Sequence, residues 1–237
     1  MPYRINPPVT DHYYHVYNRG IDGMAIFKGD RDYQRFITLL NYYRFANLSM
    51  RLSHLNQMSE INRNSFLEQI YSTYEQDIDI LCYCLMPNHY HLMLRQRVDG
   101  GISTFMRILQ NAYAQYFNTK YKRKGRLIQS EFQYLLIESD EQSDHVSRYI
   151  HLNPATSQLV SINQLESYRY SSYPTYLGRY RDIFVSDEFI IQRFSSRDEY
   201  KSFVLARADF QRELNKIKLP THRVCGLEEE EGEKEEG

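Results

Sequence analysis

The pattern of apolar and polar positions changes period several times along this chain, and each change predicts an element. HYYHVYNRG (12–20) is aromatic and β-branched, the character of a strand, and Gly20 and Gly23 mark the turn after it. From Asp30 the period lengthens. Tyr33, Phe36, Ile37, Leu40 and Tyr43 recur at three- and four-residue steps, so RDYQRFITLLNYYRFAN is an amphipathic helix. Residues 48–75 keep a weaker helical spacing, as an inserted helix would. IDILCYCLM (78–86) is a continuous apolar run suited to a buried strand. Pro87-Asn88 turns the chain, and HYHLMLRQ (89–96) reads as the antiparallel neighbour of that strand.

Gly100-Gly101 opens a second helix with Ile102, Phe105, Met106, Leu109 and Tyr113 on its apolar stripe, ending near Gly125. RLIQSEFQYLLIES (126–139) is strand-like. Asp140 or Ser143 caps a third helix, SDHVSRYIHLN, which is expected to stop before Pro154. Residues 181–218 read as one or two further helices. The order is strand, helix, strand, strand, helix, strand, helix. It predicts an α+β fold: a ferredoxin-like split βαβ antiparallel sheet with helices on one face and an added helix. Three stretches are expected: a main domain over 1–180, a helical extension over 181–226, and an acidic tail over 227–237.

Composition narrows the class. The 237 residues are 42% hydrophobic and 25% charged, values of ordinary soluble globular chains. No apolar run approaches the ~20 residues that span a bilayer. The N-terminus lacks the apolar core of a secretion signal, and three cysteines (Cys82, Cys84, Cys225) cannot all pair. A reducing cytoplasm and no membrane are the expectation. There are 22 tyrosines and no tryptophan. Tyrosine can stack on bases and bond phosphates, or simply fill a core, and composition leaves both open. The net charge of −1 hides an asymmetry. Residues 228–236 hold seven Glu and one Lys, leaving 28 basic and 23 acidic residues elsewhere. A mildly basic body permits an anionic partner.

Two pairs of residues carry candidate chemistry. His89 and His91 alternate on a predicted strand, so both imidazoles share a face and can grip one metal ion, though two surface histidines near a turn would look the same. Tyr149 and Asn153 lie four apart on a predicted helix and share its face. The Asn carboxamide could complete a cation site beside two histidines, with the Tyr hydroxyl a nucleophile next to it. Plain packing and helix capping would explain that pair too. His145, one turn before Tyr149, either orients the Tyr or lies on the helix surface. Tyr113 and Tyr116 are rival nucleophiles, but neither has an Asn or Gln four residues later. Cys82 and Cys84 alternate on the neighbouring strand, which makes a zinc site conceivable, although buried cysteines on an apolar strand are mostly inert.

Basic residues cluster from Arg95 to Arg126: Arg95, Arg97, Arg107, Lys120, Lys122, Arg123, Lys124 and Arg126, with Asp99 the one acid among them. Tyr113, Tyr116, Phe117 and Tyr121 interleave with these. The mixture suits a groove for single-stranded nucleic acid, and equally a solvated helix with a basic end. Arg19, after the first strand, is a weaker candidate for the same role.

The segments LMPNHYHLML, MRILQNAYAQYFNTKYKRKGRL and YIHLNP together resemble the single-tyrosine HUH transposases (histidine, hydrophobic residue, histidine), and within them the REP-associated tyrosine transposases. The resemblance covers about residues 12 to 177, including HVYNRG and YRYSSYPTYLG. It implies a metal-dependent enzyme that nicks single-stranded DNA beside a hairpin (REP-like or at element ends), leaving a 5′-phosphotyrosine link and a free 3′-hydroxyl. By motif position, His89, His91 and Asn153 would be the metal ligands, Tyr149 the nucleophile, and Mg²⁺ or Mn²⁺ the cation. Relatives act as monomers or homodimers. A catalytically silent, hairpin-binding descendant is the alternative. Ala155 stands where the family commonly has Val after Asn-Pro, and Tyr170 where a Trp often precedes Ser-Ser-Tyr.

Overall fold

The computed structural model describes residues 7–206 apart from 46, 47, 49 and 56. Cys225, the tail over 227–237 and the far part of the expected extension lie outside the described residues. Strands β1 (Tyr13–Arg19), β2 (Ile78–Met86), β3 (His89–Gln96) and β4 (Gln133–Ile137) form one antiparallel sheet in the order β2-β3-β1-β4. That order, with helices α1 (Asp30–Tyr43) and α4 (Gly101–Lys120) between strands, is the split βαβ arrangement expected from the sequence.

Alternation on β3 divides the sheet into two faces. Tyr90 points to α1 and α4, with its ring against Phe36 and its hydroxyl accepting from Gln110 at 2.7 Å. His89, His91 and Met93 point the other way, where α5 (Asp140–Thr156) lies. Every residue of β2 is buried, as its largely apolar sequence anticipated, with its one charged member, Asp79, paired with Arg97. Helices cover both its faces, and the segment around Ser171 and Val185 covers its outer edge through bridges to Cys84 and Ile80. A bulge between Ile80 and Cys82 resets the alternation, so that both cysteines face α5.

Between α1 and β2 the chain forms α2 (Leu52–Leu55) and α3 (Glu60–Thr73), the latter largely exposed. After α5 come α6 (Tyr173–Tyr176), α7 (Glu188–Ile191) and α8 (Arg197–Leu205). Tyr200 of α8 is fully buried against α5.

Four expectations need correction. The third helix begins at Asp140 and is capped by Ser139, one residue before the first of the two expected caps, with the Ser139 side chain accepting from Gln142 N. It also runs through Pro154 to Thr156 instead of stopping before it. Pro154 lies only two residues from the helix end, so its missing N–H costs a single i→i−4 hydrogen bond and little helix remains beyond it to be disrupted. The strand signal over 126–139 contracts to Gln133–Ile137, because Leu127 and Ile128 cross the end of β1 and touch it only at the Gly20–Ile128 bridge. The second helix ends at Lys120, and Lys122 turns the chain at φ 50°.

Candidate active site

β1 ends and β3 begins at the same edge of the sheet, because the strands are antiparallel and Arg19 pairs with His89. The β2–β3 turn and the loop after β1 are tied there: Gly20 N donates to Asn88 O, and Ile26 N and Phe27 N donate to Pro87 O. Gly20 is required by the tight fold of the loop after β1, since a Cβ on it would lie 2.2 Å from Met24 O. The Pro87-Asn88 turn is therefore held firmly, and with it the start of the His-x-His strand.

His89 and His91 share the α5 face with ring centroids 5.1 Å apart and planes at 90°. Each uses Nδ1 on a neighbour. His89 Nδ1 lies 2.6 Å from Asn88 Oδ1, and His91 Nδ1 lies 2.9 Å from His15 Nε2. That leaves Nε2 on both rings for a ligand. Burial pushes His89 down to about 4, with the Arg19 guanidinium adding to the effect. Burial also holds His91 well below the usual range, helped by its neighbours His15, His89 and Arg19. His15 is pushed down to about 3 by burial alone. All three rings are therefore neutral near pH 7, the state in which imidazole binds metals.

Tyr149 comes to this pair from α5. Its half-buried ring stands edge-on to His91 at 5.5 Å and to His15 at 5.7 Å. α5 leaves the sheet beside Ile137, which pairs with Tyr13, and runs back towards the Arg19 end. The turn after Tyr149 brings Asn153, which is buried and donates its Nδ2 to Tyr149 O at 2.9 Å. With the amide nitrogen given to the helix, Oδ1 is the atom left for a cation. His145 is exposed and contacts Arg148, Glu141 and Phe203. It is the helix-surface residue of the two readings.

The donor types, imidazole nitrogen and amide oxygen, are ones a divalent cation can accept. Among the described residues no group of three or more His, Cys, Asp or Glu has metal-binding geometry, so no carboxylate joins the histidine pair. Two imidazole nitrogens and an amide oxygen carry no charge, and Arg19 stands beside them. A phosphodiester would bring the negative charge that such a set lacks.

The rival groups fall elsewhere. Tyr113 is fully buried on the opposite face, donating to Ile26 O at 2.5 Å, and Tyr116 donates to Asp32 Oδ1 at 3.1 Å. Cys84 shares the face of His91, but its thiol is spent on Met86 Sδ, and burial pushes both Cys82 and Cys84 up. Tyr170, in the place of a frequent Trp, stacks on Tyr33 with centroids 3.8 Å apart.

The basic run, continuous in sequence, is divided in space. Arg95 and Arg97 lie at the far end of β3, about 20 Å from His89 at strand rise. Their charge is already paired: Arg97 Nε bonds both Asp79 oxygens at 2.8 and 2.9 Å, and Arg95 Nη2 bonds Asp11 at 2.9 Å. Arg107 is exposed on α4, behind the sheet. Lys122, Lys124 and Arg126 are exposed in the loop that returns beside Arg19, where Ile21 N donates to Leu127 O and Gln129 N to Arg19 O. Arg123 braces this loop by donating to Arg126 O at 2.7 Å. Arg19, Lys122, Lys124 and Arg126 therefore belong to the histidine end of the sheet, and Arg95, Arg97 and Arg107 do not. The run that is continuous in sequence is thus split by the course of the chain, with Asp79 and Asp11 pairing the two arginines at the far end.

Two residues at the site escaped the reading of the sequence. Asn88 passes as a turn residue. His15 is hidden in an aromatic strand, although its period-two spacing with Tyr17 marks one face of β1, and Tyr17 pairs with His91.

No curated protein is matched by this sequence. One solved structure, titled "Structure of the REP associates tyrosine transposase bound to a REP hairpin", is similar at TM-score 0.44 and 15% identity, covering 76% of this chain and 89% of that one. A family model described as "Transposase IS200 like" matches residues 37–153, a stretch that holds His89, His91 and Tyr149 and ends on Asn153. Over that stretch, 117 of its 237 residues, the chain is similar to the IS200-like transposases.

Proposed function

We propose that this protein is a metal-dependent single-strand DNA nickase and strand transferase that cleaves beside hairpin DNA through Tyr149. The observation that carries the reading is the approach of Tyr149 to His91 from α5, while the other candidate tyrosines lie across the sheet or in the core. His89 Nε2, His91 Nε2 and Asn153 Oδ1 would hold Mg²⁺ or Mn²⁺. The cation supplies charge neutralisation and polarisation of a phosphodiester oxygen.

The chain's own residues do the rest. Tyr149 Oη attacks phosphorus, the bond from phosphorus to the 3′-oxygen breaks, and a 5′-phosphotyrosine link and a free 3′-hydroxyl result. The phenolic proton leaves as the new bond forms, and the departing 3′-oxygen gains one. Attack of another 3′-hydroxyl on the phosphotyrosine reverses these bonds and rejoins strands. Tyrosine titrates near ~10 in water, so it needs a nearby positive field, and Arg19 faces the same end of the sheet. Lys122, Lys124 and Arg126 would neutralise phosphates of the flanking strand.

A covalent-capture gel tests this. Labelled single-stranded DNA pools containing hairpins are incubated with protein and Mn²⁺ or Mg²⁺, then denatured. Label shifted onto protein, dependent on metal and lost in Tyr149→Phe, is the expected result. Tight hairpin binding without any adduct would favour the catalytically silent binder. An adduct that persists in Tyr149→Phe would mean another tyrosine is the nucleophile.

A further inference from the structure

We propose that His15 is a positioning residue for the metal site: it fixes His91 in the tautomer that presents Nε2 as a ligand. The proposal rests on the reading of His91 as a metal ligand. His15 is 3% exposed and sits diagonally across the sheet from His91, with Met93 as its own Cα partner. Diagonal neighbours on one face lie within reach of long side chains, and here His15 Nε2 meets His91 Nδ1 at 2.9 Å with the rings nearly stacked, 28° between planes.

One proton must lie between these two nitrogens. If His91 is to ligate through Nε2, its proton sits on Nδ1 and is donated to His15 Nε2, which accepts. In water a neutral imidazole prefers the opposite tautomer, with the proton on Nε2, and that form cannot bind a cation there. His15 therefore acts as the outer partner that metal-bound histidines generally need to set ring orientation and tautomer, a role whose loss typically lowers metal affinity ~10–100-fold. His89 has the same support from Asn88 Oδ1, so each ring of the pair has its own acceptor. Because His15 also touches the ring of Tyr149, it fixes the ligand ring at the place where the nucleophile stands.

The test does not depend on turnover. Histidine side chains of the full chain are labelled with ¹⁵N, and long-range proton–nitrogen correlation spectra are recorded without metal at pH 7.5. His91 is expected in the Nδ1–H form. His15→Phe keeps a ring but removes the acceptor. It should release His91 into a mixture of tautomers and weaken Mn²⁺ binding, measured by calorimetry, about 10–100-fold. His15→Gln, whose side-chain oxygen can accept the same proton, should restore both. A wild-type His91 protonated on Nε2 would overturn the proposal, as would His15→Phe with unchanged tautomer and Mn²⁺ affinity. Wild-type protein with His91 in the Nδ1–H form but no Mn²⁺ binding, even with DNA present, would instead refute the metal reading. The two failures are thus separate results.

Discussion

His151 links the nucleophile's helix to the rest of the molecule, and its burial gives the fold a pH dependence that can be measured. The ring is fully buried, with Nδ1 2.8 Å from Tyr200 Oη and Nε2 2.9 Å from Ser172 Oγ. Ser172 in turn accepts from Tyr83 N, so α5, α8 and β2 meet at this side chain. Burial pushes His151 from 6.5 down to about 3. The folded state therefore keeps the ring neutral between those values while the unfolded chain protonates it. Since the unfolded state binds more protons there, stability falls as pH drops below about 6.5, by about 1.4 kcal/mol per pH unit for this one group. At pH 5 the loss is about 2 kcal/mol, equivalent to roughly 4–8 °C in Tm for a domain of this size. The perturbation is His151→Gln, which cannot titrate yet can still hydrogen-bond both hydroxyls. Urea unfolding of both proteins at pH 7.5, 6 and 5, with EDTA present, gives the comparison. The other buried histidines contribute equally to both proteins, so only the difference in slope counts. Wild type should lose about 2 kcal/mol more than the variant between pH 7.5 and 5. Parallel slopes would refute the reasoning, because they would mean His151 is protonated equally in both states.

Other outcomes follow from the same geometry. Tyr149→Phe should reduce adduct formation by ~10⁴-fold or more, as loss of a nucleophile does, with hairpin affinity in a filter-binding assay and Tm nearly unchanged. Replacing Lys122, Lys124 and Arg126 together by Ala should lower the slope of log affinity against log salt by about 2, at roughly 0.7 per contacted phosphate for single strands. Arg97→Gln should leave that slope as it is, because Asp79 already holds the guanidinium; a matching fall in slope would put DNA at the far end of the sheet. Gly20→Ala forces a Cβ to within 2.2 Å of Met24 O, so the loop behind Arg19 must shift. The expected loss is about 1–3 kcal/mol in chemical denaturation, the usual scale for overpacking.

The sequence by itself marked strands β1 to β3, the main helices and the closeness within each of the two candidate pairs. β2 and β3 match the apolar run at 78–86 and the His-x-His segment at 89–96 residue for residue, because a strand buried on both faces has no polar alternation to blur its ends. Period-two and period-four spacing likewise put His89 beside His91 and Asn153 below Tyr149, since both relations are local. Local rules failed at Pro154, where packing of Leu152, Ala155 and Thr156 against the sheet carries the helix past a residue that ordinarily ends one. They also failed for the basic run. Eight cations within 32 residues look alike in sequence, yet Asp79, from another strand, pairs with Arg95 and Arg97, while the loop over 122–126 returns beside Arg19. His15 was invisible for the same reason. Its partner His91 is 76 positions away, and only strand pairing brings the two nitrogens within 2.9 Å. A hydrogen bond across a sheet is a product of register, and register is fixed by the packing of the whole chain.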